Sequence, residues 1–281
     1  MEKQKRVVLI TGCSSGIGRA LAEEFFRNDY IVYATARKIT TLEPLKLKGL
    51  FVETVDVTNS ERIQEIYNRI AQEQGRLDVL VNNAGYATIS PLVELGMPEL
   101  RNQFETNVFA PIQLIQIFLP LLLKSDSAQI VNIGSVSAIL STPFAGAYCA
   151  SKAALHSLSD ALRMELAPFK IKVITIQTGA IRSQFGQRAT SEVDQNQKTD
   201  SLYSKIREGI YLRAQASQDK PTPADVYAKK VVAHLQKSKP ASIVRFGHGS
   251  LLLMLMKRLI PENLLDGILS KKFKLNQLKP E

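Results

Sequence analysis

The feature that most constrains the fold is a regular alternation of short apolar runs with amphipathic helical patterns along all 281 residues. The runs are RVVLITG, YIVYATA, GLFVETVDV, LDVLVNNAG, AQIVNIGS, KIKVITIQTG and ASIVRFG. Each is apolar on both side-chain faces, as in a parallel sheet that is covered on both sides. The alternation predicts an α/β fold: a single doubly wound, Rossmann-type parallel sheet of about seven strands with helices on both faces. One helix start is marked by a T-x-x-E capping box, Thr58 to Glu61.

We expect one domain over residues 1–281, because a chain of this length buries a large core without covalent staples. The two cysteines, Cys13 and Cys149, are far apart and suggest neither a metal site nor a disulfide framework. Two segments stand out within the domain. Residues 182–221 form a long, polar, weakly patterned insertion, which we expect to be a substrate lid. Residues 249–281 form an amphipathic C-terminal tail.

The net charge of +10 leaves two interpretations open. One is a basic, solvated surface, and the other is a real preference for phosphate groups or membranes. Nothing resembles a nucleic-acid-binding module, so we expect no nucleic-acid partner. The N-terminus resembles no signal peptide, and no apolar run approaches the roughly 20 residues of a spanning helix. We therefore expect a cytoplasmic protein that is soluble or peripheral on a membrane surface. We also expect a homo-oligomer. Three alternative roles remain open for the tail: it covers a pocket, lies in a dimer interface, or contacts an anionic membrane surface.

The first Gly-rich turn, in LITGCSSGIGRALAEEF, fits two kinds of site. G-x-S-x-G is the pattern of a hydrolase nucleophile elbow with Ser14 as nucleophile, and T-G-x-x-x-G-x-G is the pattern of a dinucleotide cradle. Barely ten residues precede the turn, and no oxyanion loop lies upstream. The additional Gly18 allows close packing of the helix on the strand, which favours the cradle. An acyl hydrolase remains the alternative, because three histidines follow in the chain order of a triad: His156, His234 and His248.

Further motifs follow in order along the chain: Asp56-Val57, Asn82-Asn83-Ala84-Gly85, Asn107, Ser135, and Tyr148 with Lys152 in YCASK. With the loop Thr11 to Gly18, this series resembles the short-chain dehydrogenase/reductase family over nearly the whole chain. The resemblance implies a catalytic set of Asn107, Ser135, Tyr148 and Lys152 and no metal. It also implies a cofactor site formed by Gly12, Ser14, Ser15, Gly16, Ile17, Gly18, Arg37, Asp56, Val57, Asn83, Ala84, Gly85, Tyr148, Lys152, Gly179, Ile181 and Ser183.

The chemistry of carbonyl reduction needs these residue types. Charge builds on the substrate oxygen as hydride adds to carbon, so a proton donor and a hydrogen-bond donor must meet there. A tyrosine with a pKa near 10 is a poor acid–base at neutral pH. Lys152 follows Tyr148 by four residues on the same helix face, and we expect its ammonium to lower the pKa of the tyrosine. Ser135 is expected to donate the second hydrogen bond.

Pro111 follows Asn107 by four residues in a helical pattern. Because proline has no N–H, the carbonyl of Asn107 loses its helical partner. In the family this carbonyl holds a water that relays protons to the catalytic lysine, so the sequence offers a reason why it is accessible. The alternative is that Pro111 ends one helix and starts another.

The second strand ends with Ala36 and Arg37, where NAD-binding members carry an acid. A guanidinium pairs with a 2′-phosphate and a carboxylate would repel it, so we expect NADPH/NADP+. The Pro-Gly of the family is Thr178-Gly179 here, and its nicotinamide-contacting threonine is Ser183. These departures weaken the assignment of the carboxamide contacts.

We expect a small hydrophobic carbonyl substrate. YATARK, PTPADVYAKK and SKKFKL resemble 1-acyldihydroxyacetone phosphate reductases, and ITGCSSGIG and VYATAR resemble 17β-hydroxysteroid and retinol dehydrogenases. The acyl phosphoketone is the leading candidate. Five basic residues of the lid are candidates for a substrate phosphate, although a solvated face is the simpler role for most: Arg182, Arg188, Lys205, Arg207 and Arg213.

Overall fold

The computed structural model describes residues 4–195 and 200–278. Seven strands form one sheet: β1 Val7–Ile10, β2 Ile31–Ala36, β3 Phe51–Thr54, β4 Val79–Asn82, β5 Gln129–Ser135, β6 Lys172–Thr178 and β7 Ile243–Phe246. All neighbouring strands are parallel, in the order β3-β2-β1-β4-β5-β6-β7. The order reverses between β1 and β4, and ligands bind beyond the carboxyl ends of the strands at such a point. The predicted fold class is confirmed.

Eleven α-helices lie within the described ranges. They are α1 Gly16–Arg27, α2 Glu43–Lys46, α3 Ser60–Gln74, α4 Met97–Phe104, α5 Ala110–Leu122, α6 Gly146–Glu165, α7 Phe185–Gln195, α8 Arg207–Gln215, α9 Ala224–Leu235, α10 Ser250–Leu259 and α11 Glu262–Lys272.

Strand β1 shows why an uninterrupted apolar run belongs at the centre of the sheet. Val8 and Ile10 belong to the core cluster that also holds the buried residues of α1 and α9. Val7 and Leu9 alternate with them and belong to the cluster beneath α3 and α5. Both faces of the strand are therefore buried, and helices form a layer on each side of the sheet.

Helices α4 and α5 are joined without a break by a π-helical segment, Glu105–Phe109, into one helix over Met97–Leu122. This helix is long and apolar enough to cross a membrane by length and composition, with a mean hydropathy of 1.2 over an 18-residue window. The expectation that no such segment exists is therefore corrected. Half of that window is buried inside the fold, and a core helix passes the same test of length and composition. Pro111 interrupts the hydrogen-bonding pattern without ending the helix.

The start of α3 differs from the expected capping box. The N-cap is Asn59, whose side chain accepts a hydrogen bond from the N–H of Arg62 at 3.0 Å. The Thr58 hydroxyl instead donates to Asp56 Oδ1 at 2.8 Å, and the Thr58 N–H donates to the same oxygen. Asn59, which can also cap a helix, therefore replaces Thr58 as the N-cap residue.

The polar insertion and the C-terminal tail are more ordered than the sequence suggested. The insertion contains α7 and α8, and the tail contains α10 and α11. Their apolar side chains join a third core cluster over the carboxyl end of the sheet, in which Leu265, Leu269 and Phe273 of the tail are buried together with Tyr148. The insertion and the tail thus form a cover on the predicted catalytic tyrosine.

Candidate active site

One cleft of about 1530 Å³ opens at the carboxyl ends of the strands. Its lining includes Ser135 and every residue that the sequence proposed for the cofactor: Gly12, Ser14, Ser15, Gly16, Ile17, Gly18, Arg37, Asp56, Val57, Asn83, Ala84, Gly85, Tyr148, Lys152, Gly179, Ile181 and Ser183. Asn107 is fully buried behind this lining. The structure therefore brings the proposed residues together, while their individual roles stay predictions.

The glycines of the first turn lie where a Cβ atom would not fit. A Cβ on Gly12, which has a φ of +74°, would lie 2.8 Å from the Cα of Ala84, and a Cβ on Gly18 would lie 2.3 Å from the carbonyl oxygen of Gly12. The close packing inferred for Gly18 is confirmed. At the start of α1, Ser15 makes no side-chain capping bond, and the first turn carries no acidic residue. A helix N-terminus of this kind fits a phosphate group.

The Asn82-Asn83-Ala84-Gly85 loop is tied to that turn by hydrogen bonds. Asn83 Nδ2 donates to the carbonyl oxygens of Thr11 at 2.8 Å and Gly12 at 3.2 Å. The Thr11 hydroxyl accepts from the N–H groups of Asn83 and Ala84, both at 3.0 Å. These bonds hold the carboxyl ends of β1 and β4 together, so the floor of the cleft is rigid.

The surroundings of Ser14 do not match a hydrolase elbow. Its hydroxyl accepts a hydrogen bond from Arg188 Nη2 at 3.4 Å. The ring of His156 instead accepts from the N–H of Ser135, and the ring of His234 bonds the carbonyl of Ala241. Within residues 4–195 and 200–278, no histidine hydrogen bonds to Ser14, so the hydrolase alternative lacks its general base.

Ser135 and Tyr148 meet at the cleft because β5 ends with Ser135 and α6 begins two residues before Tyr148. Burial raises the pKa of Tyr148, and a hydrogen bond with Ser135 and the charge of Arg213 partly oppose this rise. Burial therefore keeps the phenol protonated. A protonated phenol can donate a proton to a carbonyl oxygen that gains charge.

Lys152 is buried beside the end of β5. Its ammonium donates to the carbonyl oxygen of Ile133 at 2.8 Å. The expected lowering of the tyrosine's pKa by Lys152 stays a prediction. Burial lowers the pKa of Lys152 itself to about 8. Such a group gains and loses a proton readily close to neutral pH.

Asn107 lies in the π-helical segment, and its side chain holds the loop after β4. Oδ1 accepts from the N–H of Tyr86 at 3.2 Å, and Nδ2 donates to the Tyr86 carbonyl and to the Ser151 hydroxyl, both at 3.0 Å. These three bonds fix the side chain of Asn107 against the loop after β4 and against α6. A Cβ placed on Gly85 would lie 3.0 Å from Asn107 Oδ1 and 3.6 Å from Lys152 Nζ, so these residues converge.

Strand β2 ends at the rim of the cleft. Ala36 is buried, and Arg37 is exposed beside it with Lys38 as its neighbour in the lining. Asp56, on the next strand end, is occupied by its two bonds from Thr58. The rim therefore offers cations where an acid would select for a ribose hydroxyl.

The turn after β6 is held by hydrogen bonds. The Thr178 hydroxyl bonds the Tyr227 hydroxyl at 2.7 Å, and the N–H of Gly179 donates to the carbonyl of Phe246. A Cβ on Gly179 would lie 2.3 Å from the carbonyl oxygen of His248, so only glycine fits. The Ser183 hydroxyl accepts from the N–H of Phe185 and contacts the start of α7.

The structure adds cleft residues that the sequence did not assign. The ring of Phe185 lies 5.7 Å from that of Tyr148. The apolar spacing of Leu265, Leu269 and Phe273 was a usable signal, since residues four apart share a helix face. Further apolar residues of the lining include Leu140, Leu252, Leu253, Leu269 and Phe273.

Comparison with known proteins agrees with this geometry. The sequence matches the family model for short chain dehydrogenases over residues 6–194. It is 38% identical to a short-chain dehydrogenase of Penicillium ochrochloron, over 83% of this chain and 85% of that protein. It is 31% identical to an NADPH-dependent 1-acyldihydroxyacetone phosphate reductase of Saccharomyces cerevisiae, over 98% of this chain and 93% of the relative.

Among solved structures, the fold is similar to a short-chain dehydrogenase from Streptomyces avermitilis, with a TM-score of 0.80, 29% identity and complete coverage of both chains. The family model, the relatives and this structure all agree with the motifs around the cleft. The chain belongs to the short-chain dehydrogenase/reductase family.

Proposed function

We propose that this protein is an NADPH-dependent reductase that transfers hydride to the carbonyl of a hydrophobic, lipid-like ketone or aldehyde, with 1-acyldihydroxyacetone phosphate as the leading substrate. The observation that carries the proposal is the position of Tyr148. On one side it faces the dinucleotide cleft, and on the other it packs in the apolar cluster formed by the lid and the tail. A hydrophobic carbonyl compound placed between them would meet the tyrosine.

The residues of the cleft fit a dinucleotide. The glycine positions that admit no Cβ let a backbone approach closely, and the uncapped start of α1 suits a pyrophosphate. Arg37 at the rim suits a 2′-phosphate. The NADPH dependence printed for the Saccharomyces cerevisiae relative supports the same choice. When bound, the nicotinamide supplies the hydride.

The protein's own residues supply the remaining chemistry. Tyr148, kept protonated by burial, donates its proton to the substrate oxygen, and Ser135 holds that oxygen with a hydrogen bond. Lys152, with a pKa lowered to about 8, then restores the tyrosine's proton. The Asn107 carbonyl, which Pro111 leaves without its ordinary helical partner, lies on the route by which Lys152 is reprotonated.

Substrate identity is tested by measuring NADPH oxidation with acyl dihydroxyacetone phosphate, keto-steroids and retinal. The printed activity of the Saccharomyces cerevisiae relative favours the first, and a hydroxysteroid or retinol dehydrogenase is the second candidate. Faster turnover of a steroid or of retinal would replace the leading substrate. Absence of NADPH oxidation with every carbonyl compound would overturn the proposed reductase.

Proline 111 provides a prediction about proton transfer. Pro111→Ala restores an N–H, so the carbonyl of Asn107 can pair within the helix, and the helix gains up to about 3 kcal/mol. We expect KM to change little, because Pro111 is not part of the cleft lining. The steady-state kcat should fall by about tenfold where reprotonation limits turnover, because the first turnover uses the proton already on Tyr148 and only later turnovers need Lys152 to be reprotonated.

The measurement is kcat across neutral and alkaline pH, compared with the single-turnover rate, which should stay near the parental value. A matched control is Pro120→Ala. Pro120 lies inside the same helix but further along the chain, so its replacement does not affect the pairing of the Asn107 carbonyl. If both variants have the same kcat as the parent protein, Pro111 shapes the helix and takes no part in proton delivery.

We also propose that the tail rests on anionic membranes. Leu251, Leu255 and Leu259 repeat at four-residue spacing on α10 and are 57%, 37% and 72% exposed. Lys257 and Arg258 lie in the last turn of the same helix. Leucines that lie beside basic residues suit the boundary between acyl chains and anionic headgroups. The oligomeric state and the cellular location stay predictions.

Vesicle sedimentation tests the membrane proposal. The protein should sediment with phosphatidylserine-containing vesicles and less with pure phosphatidylcholine, and salt should release part of it. The double change Leu251→Glu and Leu259→Glu should reduce binding about tenfold or more, since each charge opposes insertion. Leu47→Glu, at a position 86% exposed and remote from the tail, is the control. Equal recovery in the supernatant for all vesicles would refute membrane contact.

A further inference from the structure

The lid carries one arginine that is buried. Arg213, in α8, is 8% exposed, whereas four other basic residues of the lid are exposed: Arg182, Arg188, Lys205 and Arg207. The sequence treated all five alike as candidates for a substrate phosphate. Burial separates Arg213 from the others, because a solvated surface charge explains the exposed residues but not this one.

The immediate surroundings of Arg213 are neutral. Its Nε donates to the Thr142 hydroxyl at 2.5 Å. The groups that raise its pKa are Cys149 and Tyr148, and burial outweighs them and lowers it. No carboxylate of residues 4–195 or 200–278 forms an ion pair with it. The guanidinium nevertheless stays charged at neutral pH.

An unpaired buried charge is costly, since its desolvation is not compensated by an opposite charge. Proteins retain such a group where a ligand supplies the missing partner. A guanidinium presents a planar set of donors that matches the oxygens of a phosphate or a carboxylate. The chemistry of Arg213 therefore indicates an anionic ligand with geminal oxygens.

The position of Arg213 identifies which ligand this is. It lines the cleft at the end that contains Tyr148, and its charge reaches the tyrosine. The cofactor-phosphate end has its own cations, because Arg188 contacts Ser14 there and Arg37 stands at the rim. Arg213 therefore serves the substrate end rather than the dinucleotide.

The acidic groups of the cleft do not compete for this position. Asp56 accepts its two bonds from Thr58, and the charge that acts on Glu192 is that of Arg37. Burial raises the pKa of Glu192, and the charge of Arg37 opposes this rise. Two further acids line the cleft without forming an ion pair with Arg213: Glu105 and Asp219.

We infer that Arg213 is a substrate-specificity residue that binds the phosphate or carboxylate of an amphiphilic carbonyl substrate, whose apolar chain lies along Leu253, Leu269 and Phe273. The inference rests on the proposed reductase function for its site. It adds a requirement that the function alone does not contain: a neutral carbonyl compound of equal hydrophobicity should be a poorer ligand.

Binding of three matched probes tests the assignment without any turnover. The probes are 1-oleoylglycerol 3-phosphate, oleate and neutral 1-oleoylglycerol, titrated calorimetrically below their micelle concentrations into the full chain with and without NADP+. The parent protein should bind at least one anionic probe more tightly than the neutral one. The two anionic arms distinguish a phosphate from a carboxylate ligand.

Arg213→Gln should weaken the preferred anionic probe about 10- to 100-fold, the equivalent of one charged hydrogen-bonding partner, and leave the neutral probe nearly unchanged. Arg213→Lys should recover part of the loss, because it keeps the charge without the planar donor set. Arg207→Gln, at an exposed position of the same helix, is the matched control and should bind like the parent. Thermal unfolding of each variant reports whether the cover still folds.

Two outcomes would overturn the inference: equal affinity of the parent for anionic and neutral probes, or equal losses for all three probes in a folded Arg213→Gln protein. The second would assign Arg213 to the packing of the lid. Failure of the proposed function is distinguishable, because it appears as no NADPH oxidation with any carbonyl compound while the anion preference persists.

Discussion

Replacement of Tyr148 by phenylalanine is expected to lower the single-turnover rate of carbonyl reduction by about 100- to 10,000-fold, the usual contribution of a general acid. The change removes only the transferable proton and the hydrogen bond with Ser135. The ring keeps its place beside Phe185 and within the apolar cluster. The measurement is NADPH oxidation with saturating ketone under single-turnover conditions.

Two comparisons make this result specific. NADP+ should bind Tyr148→Phe nearly as tightly as the parent, because most of the cleft lining is unchanged. Ser14→Ala should retain substantial reductase activity, since the Ser14 hydroxyl has no histidine partner among the described residues. A Tyr148→Phe protein that reduces ketone at the parental rate would contradict the assigned acid. An esterase activity lost in Ser14→Ala and kept in Tyr148→Phe would restore the hydrolase interpretation.

The fold class and the cleft were predictable because they follow from local patterns. Strand β1 reads VVLI, and a run with no polar face can only lie inside a covered sheet. The glycine spacing of the first turn likewise has few physical solutions, since a Cβ at Gly18 would overlap the carbonyl of Gly12. Patterns of this kind specify short-range geometry, which the structure reproduces.

Other features depend on contacts between distant residues and could not be predicted locally. The ammonium of Lys152 donates to the carbonyl of Ile133, 19 positions away in the chain, a contact that the helix spacing does not specify. The helix N-cap moved from Thr58 to Asn59 because Asp56 holds the Thr58 hydroxyl. In both cases the residue types were correct, and a competing partner decided the geometry.

The helices of the lid also could not be predicted from the local sequence. The lid's polar composition hid two helices, because their apolar residues are few and the buried ones join the third core cluster. The burial of Arg213 depends on that packing, and neighbouring arginines with the same chemistry remain exposed. Sequence reasoning could name the basic residues of the lid but could not distinguish among them.

The choice of cofactor gives the second large effect. Arg37→Asp replaces a guanidinium by a carboxylate at the end of β2, where the 2′-phosphate of NADPH is expected. Loss of a charged hydrogen bond costs about 1.5 to 3 kcal/mol, and repulsion adds to it, while exposure at the rim screens both. NADPH should therefore bind about 10- to 100-fold more weakly.

NADH should be affected in the opposite sense, because it carries no 2′-phosphate and a carboxylate can accept bonds from its ribose hydroxyls. The ratio of kcat/KM for the two cofactors is the decisive measurement, since a general loss of folding would lower both values together. Lys46→Asp makes the same change of charge on α2 outside the cleft lining, and it should leave the ratio unaltered. If Arg37→Asp and Lys46→Asp give the same ratio as the parent, the preference for NADPH arises elsewhere in the cleft. The cations nearest to Arg37 would then be the residues to exchange, beginning with Lys38, which lines the same rim.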